Sequence, residues 1–281
     1  MNLVRTISEL DDRLAGERCV LVPTMGALHE GHLALIDEAR RVAAGTGAPV
    51  AATIFVNPTQ FNDPADLERY PRPIERDRAF LAERGVEVLF EPSVETVFPP
   101  ERPNDWPQPD VPAVGRLPGL EDAFRPGHFE GVCRVVSRLF DLLRPGAAIF
   151  GEKDWQQTRV VSAMCAQQGR DVEIVVGPTV READGVAMSS RNTHLPADAR
   201  SRASAVIGAI RAAQAEDVAR IARERAVGQL EAAGLEIEYA EIRDAATLLE
   251  PAGDPAGGPW RILVAARLAG VRLLDNAPWP A

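Results

Sequence analysis

At 281 residues the chain is long enough for roughly two domains of about 150 residues, or one large α/β unit with an appendage, and a mini-protein is excluded. Its 46% hydrophobic and 26% charged residues match ordinary globular composition, which excludes disorder over most of the length. Thirty-one basic against 41 acidic residues give a net charge of −10, which opposes the phosphate neutralisation that general nucleic-acid binding depends on.

Three cysteines, Cys19, Cys133 and Cys165, lack any CxxC spacing, so neither a disulfide framework nor a zinc cage is indicated, and all three read as structural. The opening MNLVRTISELDDRL carries charges every few residues. Nowhere do about 18 consecutive apolar residues occur, and the expectation is a soluble cytoplasmic protein without a membrane partner.

In chain order, the first half repeats a short apolar run, a loop rich in Gly, Pro or Asn, and an amphipathic helix, which is the βαβ signature of an α/β sheet. Cys19 to Val22 reads as a buried strand leading into PTMGALHEGH, after which Leu35, Ile36, Ala39, Val42 and Ala43 recur at helical spacing. Ala51 to Val56 is the second strand. It runs into NPTQFNDPADLERYPR, too rich in Pro, Asn and Asp for regular structure, and a helix through Ile74 and Leu81 follows. Val86 to Phe90 closes the unit. Residues 91–127 hold nine prolines and read as irregular connection with short helical turns at most.

From Phe129, the positions Val132, Val135, Val136, Leu139, Phe140 and Leu143 form one apolar helix face, ended by Pro145-Gly146. Ala147 to Phe150 is the next strand, Trp155 to Gln168 the next helix, and Val172 to Val176 another strand, closed by Gly177-Pro178. Composition then shifts. Two Ala/Arg-rich helices, DARSRASAVIGAIRAAQ and VARIARERAVGQLEAAG, precede strands expected at Ile237 to Ile242 and Ile262 to Leu274. A turn is expected at Ala256-Gly257-Gly258-Pro259 and a hairpin around Ala269-Gly270. The expected division is a larger α/β domain over 1–178 and a smaller α+β domain over 179–281.

Four stretches carry residues suited to chemistry. Met25-Gly26-Ala27-Leu28-His29-Glu30-Gly31-His32 follows a strand and opens a helix, where free N–H groups and the positive dipole end attract phosphate. Imidazoles donate to phosphate oxygens and, when protonated, offset charge during transfer. HEGH is one residue short of the HExxH zinc helix, and Gly31 weakens a helix interior; two solvated turn histidines are the plainer alternative. Phe150-Gly151-Glu152-Lys153-Asp154-Trp155-Gln156-Gln157 follows another strand, so a parallel sheet brings Lys153 to the same edge, although a surface ion pair would look the same. Met188-Ser189-Ser190-Arg191-Asn192 offers hydroxyls and a guanidinium, as ordinary surface turns also do. Phe55-Val56-Asn57-Pro58-Thr59-Gln60-Phe61 places neutral amides at a strand end, suited to hydroxyls and carboxylates or to capping their own loop.

Together, in this order and spacing, MGALHEGH, FVNPTQF with DLERYPR, RPGHFEGV, FGEKDWQQ and MSSRN, and more weakly ILVAARLAGVRLLDN, resemble the pantothenate synthetases, the AMP-forming pantoate:β-alanine ligases, over nearly the whole chain. HEGH corresponds to the HIGH-type signature of nucleotidyltransferases and class I aminoacyl-tRNA synthetases. The resemblance implies an α/β fold, a Rossmann-like parallel sheet of the HIGH-motif nucleotidyltransferase type, with nucleotide and pantoate on residues 1–178 and a smaller C-terminal α+β domain. The linker 101–126, Trp155 and His194 depart from the family pattern, which has Phe and Tyr at the last two positions.

The resemblance further implies two steps. Pantoate carboxylate attacks the α-phosphate of ATP to give pantoyl adenylate and pyrophosphate, and the amine of β-alanine then displaces AMP. His32, as proton donor, His29 and Lys153 are the implied catalytic residues. ATP contacts are implied from Met25, Gly26, Ala27, Leu28, His29, Glu30, Gly31 and His32, from Gly151, Glu152, Lys153 and Asp154, and from Val180, Met188, Ser189, Ser190 and Arg191. Gln60 and Gln157 fall to pantoate, Gln60 also to β-alanine. Mg²⁺ would bridge ATP phosphates with Asp77 as a partner for its waters. The implied assembly is a cytoplasmic homodimer whose partners are small molecules, with no nucleic acid. A different nucleotidyltransferase would share HEGH without needing both glutamines, and a silent nucleotide-binding regulator would have lost a histidine or the lysine.

Overall fold

The computed structural model describes residues 1–61, 63–101, 106–251 and 258–280. Six strands, β1 (Asn2–Val4), β2 (Val20–Thr24), β3 (Val50–Ile54), β4 (Val88–Phe90), β5 (Ala147–Gly151) and β6 (Glu173–Gly177), form one parallel sheet in the order β1-β4-β3-β2-β5-β6. Its register pairs Val20 with both Val50 and Ala147. The strands read as continuous apolar runs because both faces are covered. Val20, Val22, Ala52, Leu89 and Ile149 face one core, and Leu21, Ala51, Val88, Ala148 and Phe150 face the other.

The helices of this part are α1 (Ile7–Leu14), α2 (Glu30–Thr46), α3 (Pro64–Arg69), α4 (Ile74–Glu83), α5 (Val94–Val97), α6 (Glu121–Phe124), α7 (His128–Leu143) and α8 (Trp155–Gln167). Ile36 and Ala39 of α2 with Leu81 of α4 cover the first face. Leu10 of α1, Phe129 to Leu143 of α7 and Val160 to Cys165 of α8 cover the second. All three cysteines are free and buried, and burial pushes the thiols of Cys19 and Cys133 up to about 12, in keeping with structural roles.

Beyond β6, helices α9 (Ala197–Arg200), α10 (Ala205–Gln214) and α11 (Ala219–Ala232) precede a three-stranded antiparallel sheet of β7 (Glu236–Asp244), β8 (Trp260–Leu268) and β9 (Val271–Trp279). The expected hairpin is β8–β9, closed by Ala269 and Gly270 at φ 48° and 78°. The expected turn at 256–259 falls partly outside the described residues. Among the described residues, no helix is long and apolar enough to cross a membrane.

Three expectations are revised. The segment NPTQFNDPADLERYPR, read as irregular, forms a 3-10 turn at Pro58–Gln60 and helix α3, which Asp63 caps by accepting from the Ala65 N–H with Pro64 at its first position. The N-terminal segment, read only for its charges, forms β1 and α1, and a reciprocal cap between Thr6 and Glu9 starts that helix. The proline-rich segment is more than connection: Leu120 is fully buried with Tyr239 and Leu263 of the second sheet and with Leu248 of the loop between β7 and β8. Residues 102–105 of the expected linker lie outside the described residues.

Candidate active site

The strand order reverses at β2, with β3 and β4 on one side and β5 and β6 on the other. Such a reversal opens a crevice at the carboxyl ends of the strands. The loop carrying HEGH leaves β2 into it, and the turn carrying Lys153 leaves β5 into it. One cavity there is lined by Met25, His29, Gly31, His32, Asn57, Gln60, Tyr70, Arg125, His128, Gly151, Lys153, Asp154, Gln157, Val180 and Met188 to Arg191.

Between Thr24 and α2 the backbone passes through two left-handed residues, Gly26 (φ 80°) and Ala27 (φ 51°). A Cβ on Gly26 would meet Ile54 Cγ2 at 3.0 Å and Asp77 Oδ2 at 3.1 Å. Ala27 is held in its costly conformation by donating to Asp77 Oδ2 at 2.6 Å, while the Leu28 N–H donates to Asp77 Oδ1 at 2.9 Å. The Gly26 N–H goes to Thr24 Oγ1 at 3.2 Å.

These contacts use part of the expected nucleotide surface within the protein. The N–H groups of Gly26, Ala27 and Leu28 are used inside the protein, and Leu28 is core. Asp77, expected beside magnesium, is buried under the loop with both oxygens taken by backbone donors, so its work is to fix the loop. Glu30 is exposed and pairs with Arg84 at 3.3 Å. Among the described residues, no cluster of three metal-ligating side chains occurs.

His29 caps α2. Its Nδ1 accepts from the Gly31 N–H at 3.1 Å, and His32 Nδ1 accepts from the His29 N–H at 3.3 Å. With Nδ1 accepting in both rings, each neutral imidazole carries its proton on Nε2. The helix N-terminus thus presents imidazole N–H groups, its own N–H at Gly31 being already capped. Gly31 is required because a Cβ there would lie 2.8 Å from His29 Cε1.

Burial first, then His29 and the charge on Lys153, bring the His32 pKa down to about 3; burial and Lys153 bring His29 to about 4. His128 is brought to about 4 by burial and Arg125. The unliganded site therefore holds neutral rings, not the imidazolium charge that phosphoryl transfer suggests. Because these folded-state values lie below the ordinary 6.5, their contribution to stability is complete above pH ~6.5 and is lost as pH falls toward 4. Each ring should then cost roughly 1–2 kcal/mol by pH 5. Glu121 does not share this window, since its folded value is about 2. A thermal unfolding midpoint that does not fall between pH 7 and pH 5 would contradict the buried neutral rings.

Lys153 sits in the single 3-10 turn Glu152–Asp154 that joins β5 to α8, with Nζ 3.6 Å from Asp154 Oδ1. It is the only lysine in the chain, all other residues of the 31 Lys+Arg being arginine. That count is a signal that motif spacing alone does not carry: a compact, flexible ammonium is retained at the one position where a planar guanidinium would differ most. Glu152, expected at the nucleotide, is instead bound by Arg261 and by the Thr179 N–H at 3.3 Å, and does not line the cavity. Arg191 pairs with Asp66 at 3.0 Å, and Ser189 Oγ accepts from the Arg191 N–H at 3.3 Å.

The amides are sorted by their partners. Gln60 Oε1 accepts from Asn57 Nδ2 at 2.9 Å, which leaves the Gln60 NH₂ group as its remaining donor. Buried Asn57 also donates to Gly131 O at 3.2 Å, and Gly131 lies so close to Thr59 that a Cβ would come within 2.3 Å of its carbonyl oxygen. Gln156 is buried and spent on the Glu121 N–H, Val114 O and Asp122 Oδ1, each at 2.9 Å. Gln157, the next residue, lines the cavity.

RPGHFEGV and DLERYPR carry part of the family resemblance, yet none of their residues was expected at the site. The structure puts Arg125, His128 and Tyr70 on the cavity. Arg125 donates to His128 Nε2 at 3.0 Å, so the ring proton lies on Nδ1, which donates to Gln60 O at 3.1 Å. Arg125 pairs with Glu121, which also receives Arg272 and the Tyr239 hydroxyl at 2.6 Å. Burial opposes ionisation of Glu121, yet these partners outweigh it. No pattern in the proline-rich segment marks such a network, because its partners lie more than a hundred residues away.

A crevice at the reversal point of a doubly wound sheet, furnished with donors for phosphate oxygens beside oriented neutral amides, places the protein among the nucleotide-handling α/β enzymes. The family profile described as Pantoate-beta-alanine ligase matches residues 2–278, and the chain belongs to that family. A pantothenate synthetase from Cereibacter sphaeroides is 47% identical over 98% of this chain and 99% of its own length. The crystal structure of pantothenate synthetase from Thermus thermophilus superposes with a TM-score of 0.91 at 41% identity, covering 99% of both chains. A pantoate-beta-alanine ligase from Francisella tularensis, complexed with beta-gamma ATP and beta-alanine, aligns with a TM-score of 0.80 at 29% identity over 99% of this chain and 97% of its own.

Proposed function

We propose that the chain condenses pantoate with β-alanine in this cavity, at the expense of ATP and through a pantoyl adenylate. The observation that carries the reading is the meeting of Lys153, His29, His32 and Ser189 to Arg191 with Gln60 and Gln157 in one cavity at the sheet reversal. Donors of the first group suit the negative charge that accumulates on the α-phosphate and on departing pyrophosphate. The neutral amides suit the hydroxyls and carboxylate of pantoate, with Gln60 also serving β-alanine. Holding carboxylate and phosphate at attack distance supplies about 7–11 kcal/mol of the barrier, so no covalent nucleophile is needed.

Met25, Gly31, Gly151, Asp154, Val180 and Met188 complete the proposed nucleotide surface. Residues 1–178 hold pantoate and most of the ATP contacts in this proposal, and residues 179–281 add Val180 and Met188 to Arg191 and close the cavity through Leu263, Leu274 and Asp275. Magnesium arrives with ATP as part of the substrate in this proposal; Asp77 and Asp275 are committed to backbone and arginine donors. A homodimer in the cytoplasm belongs to the same proposal, and light scattering of the purified protein tests the dimer.

The test is pantoate-dependent ATP–pyrophosphate exchange, followed by AMP release on adding β-alanine. Exchange that ignores pantoate, or no exchange at all, would overturn the reading. Gln157→Ala should raise the Michaelis constant for pantoate roughly ten- to a hundredfold, the cost of about 1–3 kcal/mol for one lost hydrogen bond that leaves its partner buried. The constant for ATP should stay nearly unchanged. A larger defect for ATP than for pantoate would move Gln157 to the nucleotide.

A further inference from the structure

The turn that carries Lys153 has no local fastening. Gly151 before it and Asp154 at the start of α8 make no side-chain cap bond. Besides the Thr179 N–H on its glutamate, its hold comes from the second sheet, where two consecutive polar residues of β9, Asp275 and Asn276, are buried. Asn276 Nδ2 donates to two successive carbonyls of the turn, Glu152 O at 3.0 Å and Lys153 O at 2.9 Å. Asn276 Oδ1 in turn accepts from Arg261 Nε at 2.5 Å.

The same Arg261 binds the Glu152 carboxylate and lies 3.8 Å above the Trp155 ring. Trp155 sends its indole N–H to Ala245 O at 2.8 Å. The turn is therefore gripped from the second sheet at its carbonyls, at its glutamate and at the first residue of α8. Asp275 grips the other phosphate-facing segment: it takes both guanidinium nitrogens of Arg181. Arg181 bridges Ala187 at the entry to Met188–Arg191 and donates to Gly185 O at 3.1 Å.

We propose that Asn276, oriented by Arg261, is a positioning residue for Lys153: the C-terminal sheet sets the ammonium against the serine and arginine segment through the backbone of its turn. The inference rests on the reading that Lys153 serves adenylation. A buried amide whose NH₂ group is divided between two adjacent carbonyls fixes peptide orientation, and Lys153 leaves the turn from one of those peptides. Displacement of a charge by a fraction of an ångström weakens its action on a transition state more than its hold on a bound substrate.

Asn276→Asp keeps the shape and the acceptor for Arg261 but removes both donors. Pantoate-dependent exchange should fall about tenfold or more in kcat with little change in the Michaelis constant for pantoate. Turnover of preformed pantoyl adenylate with β-alanine should stay within about threefold of the parent. In a Lys153→Ala background the same substitution should cost nothing further, since coupled residues are not additive. Reductive methylation of the sole lysine, read by mass spectrometry, should be blocked by ATP in the parent and less so in Asn276→Asp.

Equal loss in both half-reactions, full additivity with Lys153→Ala, or unchanged exchange would each overturn the proposal. If Asn276→Asp does not fold, Arg261→Lys, which keeps a charge for Glu152 but loses the bond to Asn276, should show the same split at about three- to tenfold. A uniform loss or no loss in that variant also overturns the proposal. Absence of pantoate-dependent exchange in the parent protein would instead count against the activity itself.

Discussion

His32→Ala is expected to lower pantoate-dependent ATP–pyrophosphate exchange by roughly two to three orders of magnitude, the usual cost of one lost transition-state donor. His32 is a cavity residue whose Nδ1 is occupied by the His29 N–H, which leaves Nε2–H as its donor for a ligand in the proposed reaction. Two further variants separate its two bonds. His32→Asn can still accept from the His29 N–H but lacks the outer donor, and should be as slow as alanine while recovering the ~1 kcal/mol cost of a lost helix cap. His32→Gln can place an amide N–H near the lost Nε2 and should recover part of the rate. Near-parent exchange in His32→Ala would remove the residue from the mechanism.

The same geometry predicts the pH behaviour. kcat/KM for ATP reports ionisations of the free enzyme, and the free-enzyme values of His29 and His32 are about 4 and 3. No histidine limb should therefore appear between pH 6 and pH 8 in that profile. A bound triphosphate raises both values, because negative charge favours the imidazolium, and such a limb belongs in kcat alone. A fall in kcat/KM above pH ~6.5 would mean that the free enzyme works with a charged ring.

Much of this architecture is legible in the amino-acid order alone. Val20-Leu21-Val22 and Ala147 to Phe150 read as strands because covering both faces of a parallel sheet demands uninterrupted apolar runs. The rule that ligands sit at the carboxyl edge then joins HEGH to Lys153 without a distance being known. β1 escaped because three residues carry no period, although the cap between Thr6 and Glu9 stood in the sequence to mark the helix after it.

What stayed hidden depends on partners far away in the chain. Asp77 is an acidic residue near the start of a helix, and nothing local says that its oxygens serve Ala27 and Leu28 about fifty positions earlier rather than a cation's waters. Gln156 and Gln157 are chemically identical neighbours about 100° apart on a helix; packing against Val114 and Glu121 decides which of them is structural. The charge on a histidine is likewise set by burial, which residue type does not reveal.

Lys153→Ala is expected to cut adenylate formation by roughly two to three orders of magnitude and to harm the second half-reaction far less. The ammonium's work is greatest while pyrophosphate departs, when charge builds on phosphate oxygens; a neutral amine attacking an acyl carbon makes a smaller demand on it. The cavity contains other cations, Arg125 and Arg191, but each is already engaged by a carboxylate, Glu121 and Asp66 respectively. The carboxylate nearest Lys153, Asp154 at 3.6 Å, is half exposed, and an exposed pair at that distance holds the lysine by no more than about 1 kcal/mol. Lys153 is thus the cation freest to swing onto a phosphate, its flexible stem carrying a compact charge where the two guanidinium groups already donate to carboxylates. Lys153→Arg should therefore rescue poorly despite retaining charge. Supplying preformed pantoyl adenylate with β-alanine to Lys153→Ala should restore most of the turnover. Failure of that rescue, with the fold intact by circular dichroism, would mean that the lysine acts equally in both steps or shapes the site through its turn alone.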